Sequence, residues 1–213
     1  MDILLVAATE QEILPFLQAN PTADHLITGV GVAMTTYHLT RRLHQVEYDL
    51  IIQAGIAGTF NRNIPPASVV AVERECFAGS GIMEGNNILS LFETGLWRDE
   101  FPFTGGWLVN ESDQLKNLKM KMVRSATVDF ITDSQELNGS VYTKYSPDIE
   151  SMEGAAFHYV ALLEEVPFIQ VRSISNVVGE RDKKNWKMDE AISALNKALD
   201  TLYAELAAHE TKL

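Results

Sequence analysis

The sequence predicts an α/β protein with a central mixed β-sheet flanked by helices. Apolar runs at 3–8, 49–54 and 168–171 have the unbroken hydrophobicity of strands covered on both faces. Helix-like segments separate these runs, and strands alternating with helices indicate a largely parallel sheet. A longer central β-rich segment makes the sheet mixed. With 213 residues and 46% hydrophobic content, the chain can bury a sizeable core. One domain over 1–213 is expected, because no repeat, low-complexity stretch or linker interrupts it.

Residues 3–8 form the first predicted strand, and Thr9 can cap a helix whose first turn carries Glu10, Gln11 and Glu12. A short strand at 25–28 reaches Gly29-Val30-Gly31, a tight turn into a helix over 32–44. The strand at 49–54 ends at Gly55-Ile56-Ala57-Gly58-Thr59, where two glycines let the backbone approach a ligand or take positive φ. After Pro65-Pro66 the β-branched stretch 68–76 reads as a strand. Glycines and aromatics scattered through 78–107 predict an irregular excursion with short elements at most. A strand at 123–128 leads into Phe130-Ile131-Thr132, and a helix is expected over 133–145, weakened by Gly139. Residues 155–163 read as a buried helix that places Glu153 at its start, and the strand at 168–171 places Asn176 just past its carboxyl end. Met188, Ile192, Leu195, Leu199, Leu202 and Leu206 step by four or three residues, one apolar face of a long final helix expected to pack without chemistry.

The formal charge of −12 argues against nucleic acid or an anionic membrane as the main partner, since both would be repelled. Small molecules or proteins remain. The single cysteine, Cys76, cannot form an internal disulfide, and no Cys/His cluster has the spacing of a zinc site. A cytoplasmic setting is expected. The run at 3–8 is too short for a membrane span and lacks the basic flank of a signal peptide.

Two polar clusters, Glu150-Ser151-Met152-Glu153 and Arg172-Ser173-Ile174-Ser175-Asn176, fall near strand and helix ends, where an open α/β sheet collects ligands. Together with Ala8-Thr9-Glu10-Gln11-Glu12, Gly29-Val30-Gly31 and Gly55-Ile56-Ala57-Gly58, in that order along the whole chain, the clusters resemble the purine nucleoside phosphorylase and nucleosidase superfamily. Within it the sequence is most similar to the futalosine hydrolases, relatives of the methylthioadenosine/S-adenosylhomocysteine nucleosidases that work in menaquinone biosynthesis. The resemblance implies a phosphorylase/hydrolase-like fold, hydrolysis of a purine nucleoside, no metal or organic cofactor, and a homo-oligomer with a dimer as the minimum.

By this resemblance Glu153 and Met152 hold the ribose, a carboxylate accepting from two neighbouring hydroxyls while the thioether covers the sugar face. The plain alternative is an acidic residue at a helix amino terminus. Glu12 is implied to activate the attacking water; otherwise it decorates a helix start. Asn176 replaces the aspartate of the methylthioadenosine nucleosidases, and its amide can donate to the carbonyl of a 6-oxopurine, so hypoxanthine is preferred over adenine. A serine-asparagine pair can also simply form a turn. Asn176 cannot act as an acid. Asp182 is therefore expected to assist the leaving base, with Arg181 and Trp186 forming a lid, or Arg181 binding the carboxylate of futalosine; a solvated loop is the alternative. Phe130 and Ile131 resemble residues that bracket the purine, or are core. Ile56 stands where the methylthioadenosine nucleosidases have serine, leaving Ala57 and Gly58 as backbone contacts. Gln53 stands where phosphorylases carry an arginine, so water rather than phosphate is the expected acceptor. Three rivals stand beside this reading: an adenine-preferring nucleosidase, a phosphorylase, and a nucleoside sensor without catalysis.

Overall fold

The computed structural model describes residues 1–210. Strand β1 (Ile3–Ala7) leads through Thr9 into helix α1 (Glu10–Ala19), and β2 (His25–Ile27) leads into α2 (Val32–Leu43). Strands β3 (Leu50–Thr59) and β4 (Val69–Phe77) follow. The excursion after β4 does hold only short elements: the hairpin β5 (Gly81–Glu84) and β6 (Asn87–Ser90), then β7 (Phe103–Thr104), β8 (Trp107–Val109) and α3 (Asp113–Lys116). The rest of the chain runs β9 (Lys121–Thr127), α4 (Gln135–Tyr145), β10 (Ile149–Ser151), α5 (Gly154–Leu163), β11 (Phe168–Val177) and α6 (Met188–Glu210).

The main sheet is mixed, and part of it closes on itself. Strand β3 pairs with β10 and β11, β11 with β4, β4 with β9, and β9 with β10, so five strands form a ring. Two long strands carry that ring. The sequence placed the ends of β3 and β11 at 54 and 171, yet they continue to Thr59 and Val177, paired in parallel with a register shift between Ile174 and Asn176. A bulge of this kind bends a strand and re-aims its side chains. Asn176 thus lies within β11, not beyond its end.

Alternation along β1 explains its unbroken hydrophobicity. Leu5 and Ala7 face a core completed by Ile13 and Phe16 of α1 and Leu195, Leu199 and Leu202 of α6. Leu4 and Val6 face the opposite core, with Leu39 of α2 and Phe157, Val160 and Ala161 of α5. Helices therefore cover both sides, and ligand access is left at the strand ends.

Two internal contacts decide where the site's side chains stand. Pro15 lacks an N–H and disturbs α1; one turn of that helix is bridged by Asn196 of α6, whose Oδ1 accepts from the Phe16 N–H and whose Nδ2 donates to the Glu12 carbonyl, both at 2.9 Å. On the other side, Glu75 is fully buried, accepting from Gln170 Nε2 at 2.9 Å and Thr127 Oγ1 at 3.1 Å, and burial pushes its carboxyl up to about 7. Thr127 Oγ1 in turn accepts from the Ala155 N–H at 2.7 Å. A side chain at Gly154 would collide with the Glu75 carboxyl and stand 2.5 Å from Gln170 Nε2. The absence of a Cβ lets α5 start against this buried network, which fixes Glu153 immediately before it.

Candidate active site

A cavity of about 340 Å³ opens at these strand ends, within the roughly 300–1,000 Å³ typical of small-molecule sites. Of the residues expected to form a site, Glu12, Ile56, Ala57, Gly58, Ile131, Met152, Glu153, Asn176 and Trp186 line it. Met188 and Ile192 line it too, so the first turns of α6 do more than pack.

Glu12 is held from three directions. Its Oε2 accepts from the Thr9 N–H and Thr9 Oγ1, each at 2.9 Å, as the third residue of a capping box does, and its Oε1 accepts from the Ile56 N–H at 3.0 Å. An ionised carboxylate has about four lone-pair sites, so about one remains for a water. Gly55 makes this approach possible. A Cβ there would overlap the Arg172 guanidinium and lie 2.9 Å from Glu12 Oε1.

Glu153 sits at the N-cap of α5. The turn after β2 delivers Gly31 in a left-handed conformation (φ 95°) that favours glycine, and its N–H donates to Glu153 Oε1 at 3.1 Å. Burial raises the Glu153 pKa; Arg172, with Nη1 3.7 Å from Glu153 Oε2, and the Gly31 N–H oppose that rise. Helix start and cavity wall coincide here, so the two readings of this residue are compatible.

The Asn176 amide is oriented by its neighbours. Its Nδ2 donates to the Val177 carbonyl at 3.0 Å, and its Oδ1 accepts from Ser175 Oγ at 2.7 Å. A carbonyl can only accept, which puts the amide nitrogen on that side and leaves its second hydrogen for another acceptor. The local backbone bonding foreseen for a turn does occur, inside a strand.

Arg172 heads the second polar cluster, but its residue type alone gave it no role. It is 1% exposed, donates from Nη2 to Gln53 Oε1 at 3.0 Å and from Nη1 to the Ile56 carbonyl at 3.5 Å, and approaches Glu153. An arginine thus reaches Gln53 from β11, but it is enclosed behind the wall and does not line the cavity. The available signal was a glutamine or arginine at alternate positions of apolar strands, Gln53, Gln170 and Arg172, which must find partners when buried. Glu150, named in the first polar cluster but given no role of its own, lines the cavity directly.

Phe130, Arg181 and Asp182 lie outside the cavity. Phe130 is 78% exposed and faces a neighbouring hollow with Ala78, Met83 and Ile88. Asp182 caps a short 3-10 turn, its carboxylate accepting from the Lys184 N–H at 3.0 Å, because a short acidic side chain preceding such a turn bonds locally. The Arg181 guanidinium lies 5.7 Å from the Trp186 ring centroid. Trp186 donates from Nε1 to the Glu180 carbonyl at 2.8 Å and lines the cavity, so of this segment's expected residues only Trp186 contributes to the wall.

The ionisable side chains lining the cavity are the acids Glu12, Glu150 and Glu153, with no Lys, Arg or His among the described lining residues. Such a wall repels a free anion and can take proton and hydroxyl chemistry.

A family model described as the phosphorylase superfamily matches residues 26–208. A futalosine hydrolase from Thermus thermophilus is 28% identical over 95% of both chains. Among solved structures, a methylthioadenosine/S-adenosylhomocysteine nucleosidase from Helicobacter pylori superimposes with a TM-score of 0.79 at 14% identity, covering 95% of this chain and 97% of that one. A futalosine hydrolase from the same organism gives 0.78 at 14% identity with the same coverage. The backbone alone thus fits both substrates' enzymes equally well.

Proposed function

The chain belongs to the phosphorylase superfamily, and from that premise we propose that it hydrolyses the N-glycosidic bond of a 6-oxopurine nucleoside, futalosine, releasing hypoxanthine. The observation that carries the base assignment is the amide of Asn176 on the cavity wall with a donor hydrogen left over. A 6-oxo group can accept that hydrogen, whereas the 6-amino group of adenine cannot.

In this reading Glu153 accepts from two ribose hydroxyls and Met152 covers the sugar. Ile131 and Trp186 bracket the base, and the backbone at Ile56, Ala57 and Gly58 forms the floor. As the C1′–N9 bond lengthens, positive charge develops on the sugar, and the carboxylates of Glu12 and Glu153 favour it electrostatically. Glu12 takes a proton from the water that attacks C1′. Its three protein donors hold the acceptor still, which removes a reorganisation cost from the step. Phosphate is disfavoured as the nucleophile because every charged group lining the cavity is acidic and Arg172 is enclosed.

The chain is read as one nucleosidase domain acting in the cytoplasm, where menaquinone precursors would be processed. No helix among the described residues is long and apolar enough to cross a membrane. Assembly into a homo-oligomer is supported by exposed apolar side chains: Met34 and Tyr37 on α2, Val30 at the cavity rim, and Leu96 and Phe101 in the excursion.

The test is to incubate the protein with futalosine, inosine, methylthioadenosine and S-adenosylhomocysteine, with and without phosphate, and chromatograph the released bases. Hypoxanthine from futalosine at a rate indifferent to phosphate is expected. Adenine release without hypoxanthine would reassign the base, phosphate dependence would make the protein a phosphorylase, and silence on every nucleoside would favour a binding protein.

A further inference from the structure

We infer that Glu150 is the acid that protonates the departing purine, an assignment that rests on the nucleoside-hydrolysing reading above. The reaction needs such a group, since an amide at position 176 has no proton to give and Asp182 lies outside the cavity. Glu12 is committed to the water by its three donors, and Glu153 is tied to Gly31 and Arg172. Glu150 remains.

Its position follows from strand pairing. Across the sheet Glu150 stands opposite Gly58, and Gly58 stands opposite Asn176, so the three form one lateral row over β10, β3 and β11. The glycine leaves a gap in the middle of that row. The point a Gly58 Cβ would occupy is 3.4 Å from Glu150 Cγ and 3.5 Å from Asn176 Nδ2, which brings the carboxyl and the amide to one corner of the cavity wall. A base held by Asn176 therefore lies beside Glu150.

The environment keeps the proton on. Glu150 is buried, and its side chain makes no hydrogen bond or ion pair with the described residues, unlike Glu12 and Glu153. Its sheet neighbours, Gly58 on β3 and Ala126 on β9, carry no titratable group, and neither does Asn176 on β11. The other charged groups on the cavity wall, Glu12 on α1 and Glu153 before α5, are acids and offer it no cation. Burial pushes its carboxyl up to about 7, close to where an acid is both protonated and able to give its proton away.

The step balances as follows. The C1′–N9 bond breaks and its electron pair goes to the purine, while the Glu150 O–H bond gives its proton to a purine ring nitrogen. Water forms the new C1′–O bond and loses a proton to Glu12. That proton returns to solvent, solvent reprotonates Glu150, and the net change is nucleoside plus water to free sugar plus hypoxanthine.

Glu150→Gln and Glu150→Asp are compared with the native enzyme on futalosine and on a ribosyl p-nitrophenolate, whose leaving group departs without a proton. Glu150→Gln is expected to lose roughly 10²–10⁴-fold in kcat on futalosine and to stay within a few-fold on the nitrophenolate. Native kcat on futalosine should fall as pH rises through about 7. Glu150→Gln should lack that fall, and Glu150→Asp should recover part of the rate. Full activity of Glu150→Gln on futalosine overturns the assignment, as does an equal loss on both substrates or a pH profile it leaves unchanged. A native protein that cleaves no purine nucleoside overturns the hydrolase reading itself, which separates the two failures.

Discussion

Glu12→Gln is expected to lower kcat for futalosine hydrolysis by roughly 10²–10⁴-fold, the contribution of a general base, with KM changed no more than a few-fold. Glutamine keeps the volume and can still accept from the Ile56 N–H through its oxygen. Its amide nitrogen then meets the Thr9 N–H, a donor against a donor, where the carboxylate accepted at 2.9 Å. That mismatch costs stability, on the order of 1–3 kcal/mol for an unsatisfied buried group. A thermal melt read alongside steady-state kinetics separates the two effects. A kcat within threefold of native in a folded variant would remove Glu12 from the chemistry.

Asn176→Asp is the second large effect. The substitution removes the only donor that this side chain offers a 6-oxo group and turns a carboxylate oxygen toward the Val177 carbonyl, where Nδ2 donated at 3.0 Å. Ser175 Oγ can still donate to the remaining oxygen. The expected result is a fall of roughly 100-fold or more in kcat/KM for futalosine, with the ratio of adenine to hypoxanthine release from matched nucleosides shifting toward adenine. Leaving a polar group unpaired discriminates more strongly than a lost methylene does. Competition assays with inosine and adenosine, scored by released base, measure this ratio. An unchanged ratio would mean that the base is recognised elsewhere.

What could be read from the residues was whatever local chemistry decides. Continuous apolar runs marked β1, β3 and β11, and the stepwise leucines of α6 marked its buried face. Glu12, Glu153 and Asn176 could be singled out because they belong to recognisable motifs, and their side chains do reach one cavity. Strand lengths were less legible. Gly55 and Gly58 look like the end of a strand, yet they lie inside β3, where ring closure carries the pairing onward and the missing side chains admit Arg172, Glu12, Glu150 and Asn176. That reason is supplied by distant segments, so no local window contains it. Three-residue β10 was invisible for a similar cause: it exists through pairing with β3 and β9. The role of Arg172 was hidden because its partners come from β3 and the loop before α5. Phe130, Arg181 and Asp182 lie outside the cavity, a placement that residue type alone does not give, since it does not tell a pocket aromatic from an exposed one or a lid acid from a turn cap.

The most direct measurement of the central claim is a crystal structure of Glu12→Gln with futalosine bound. The ribose hydroxyls should lie on Glu153, the 6-oxo group within hydrogen-bond distance of Asn176 Nδ2, and a water between residue 12 and C1′. A nucleoside seated with its base away from Asn176, or outside this cavity altogether, would contradict it.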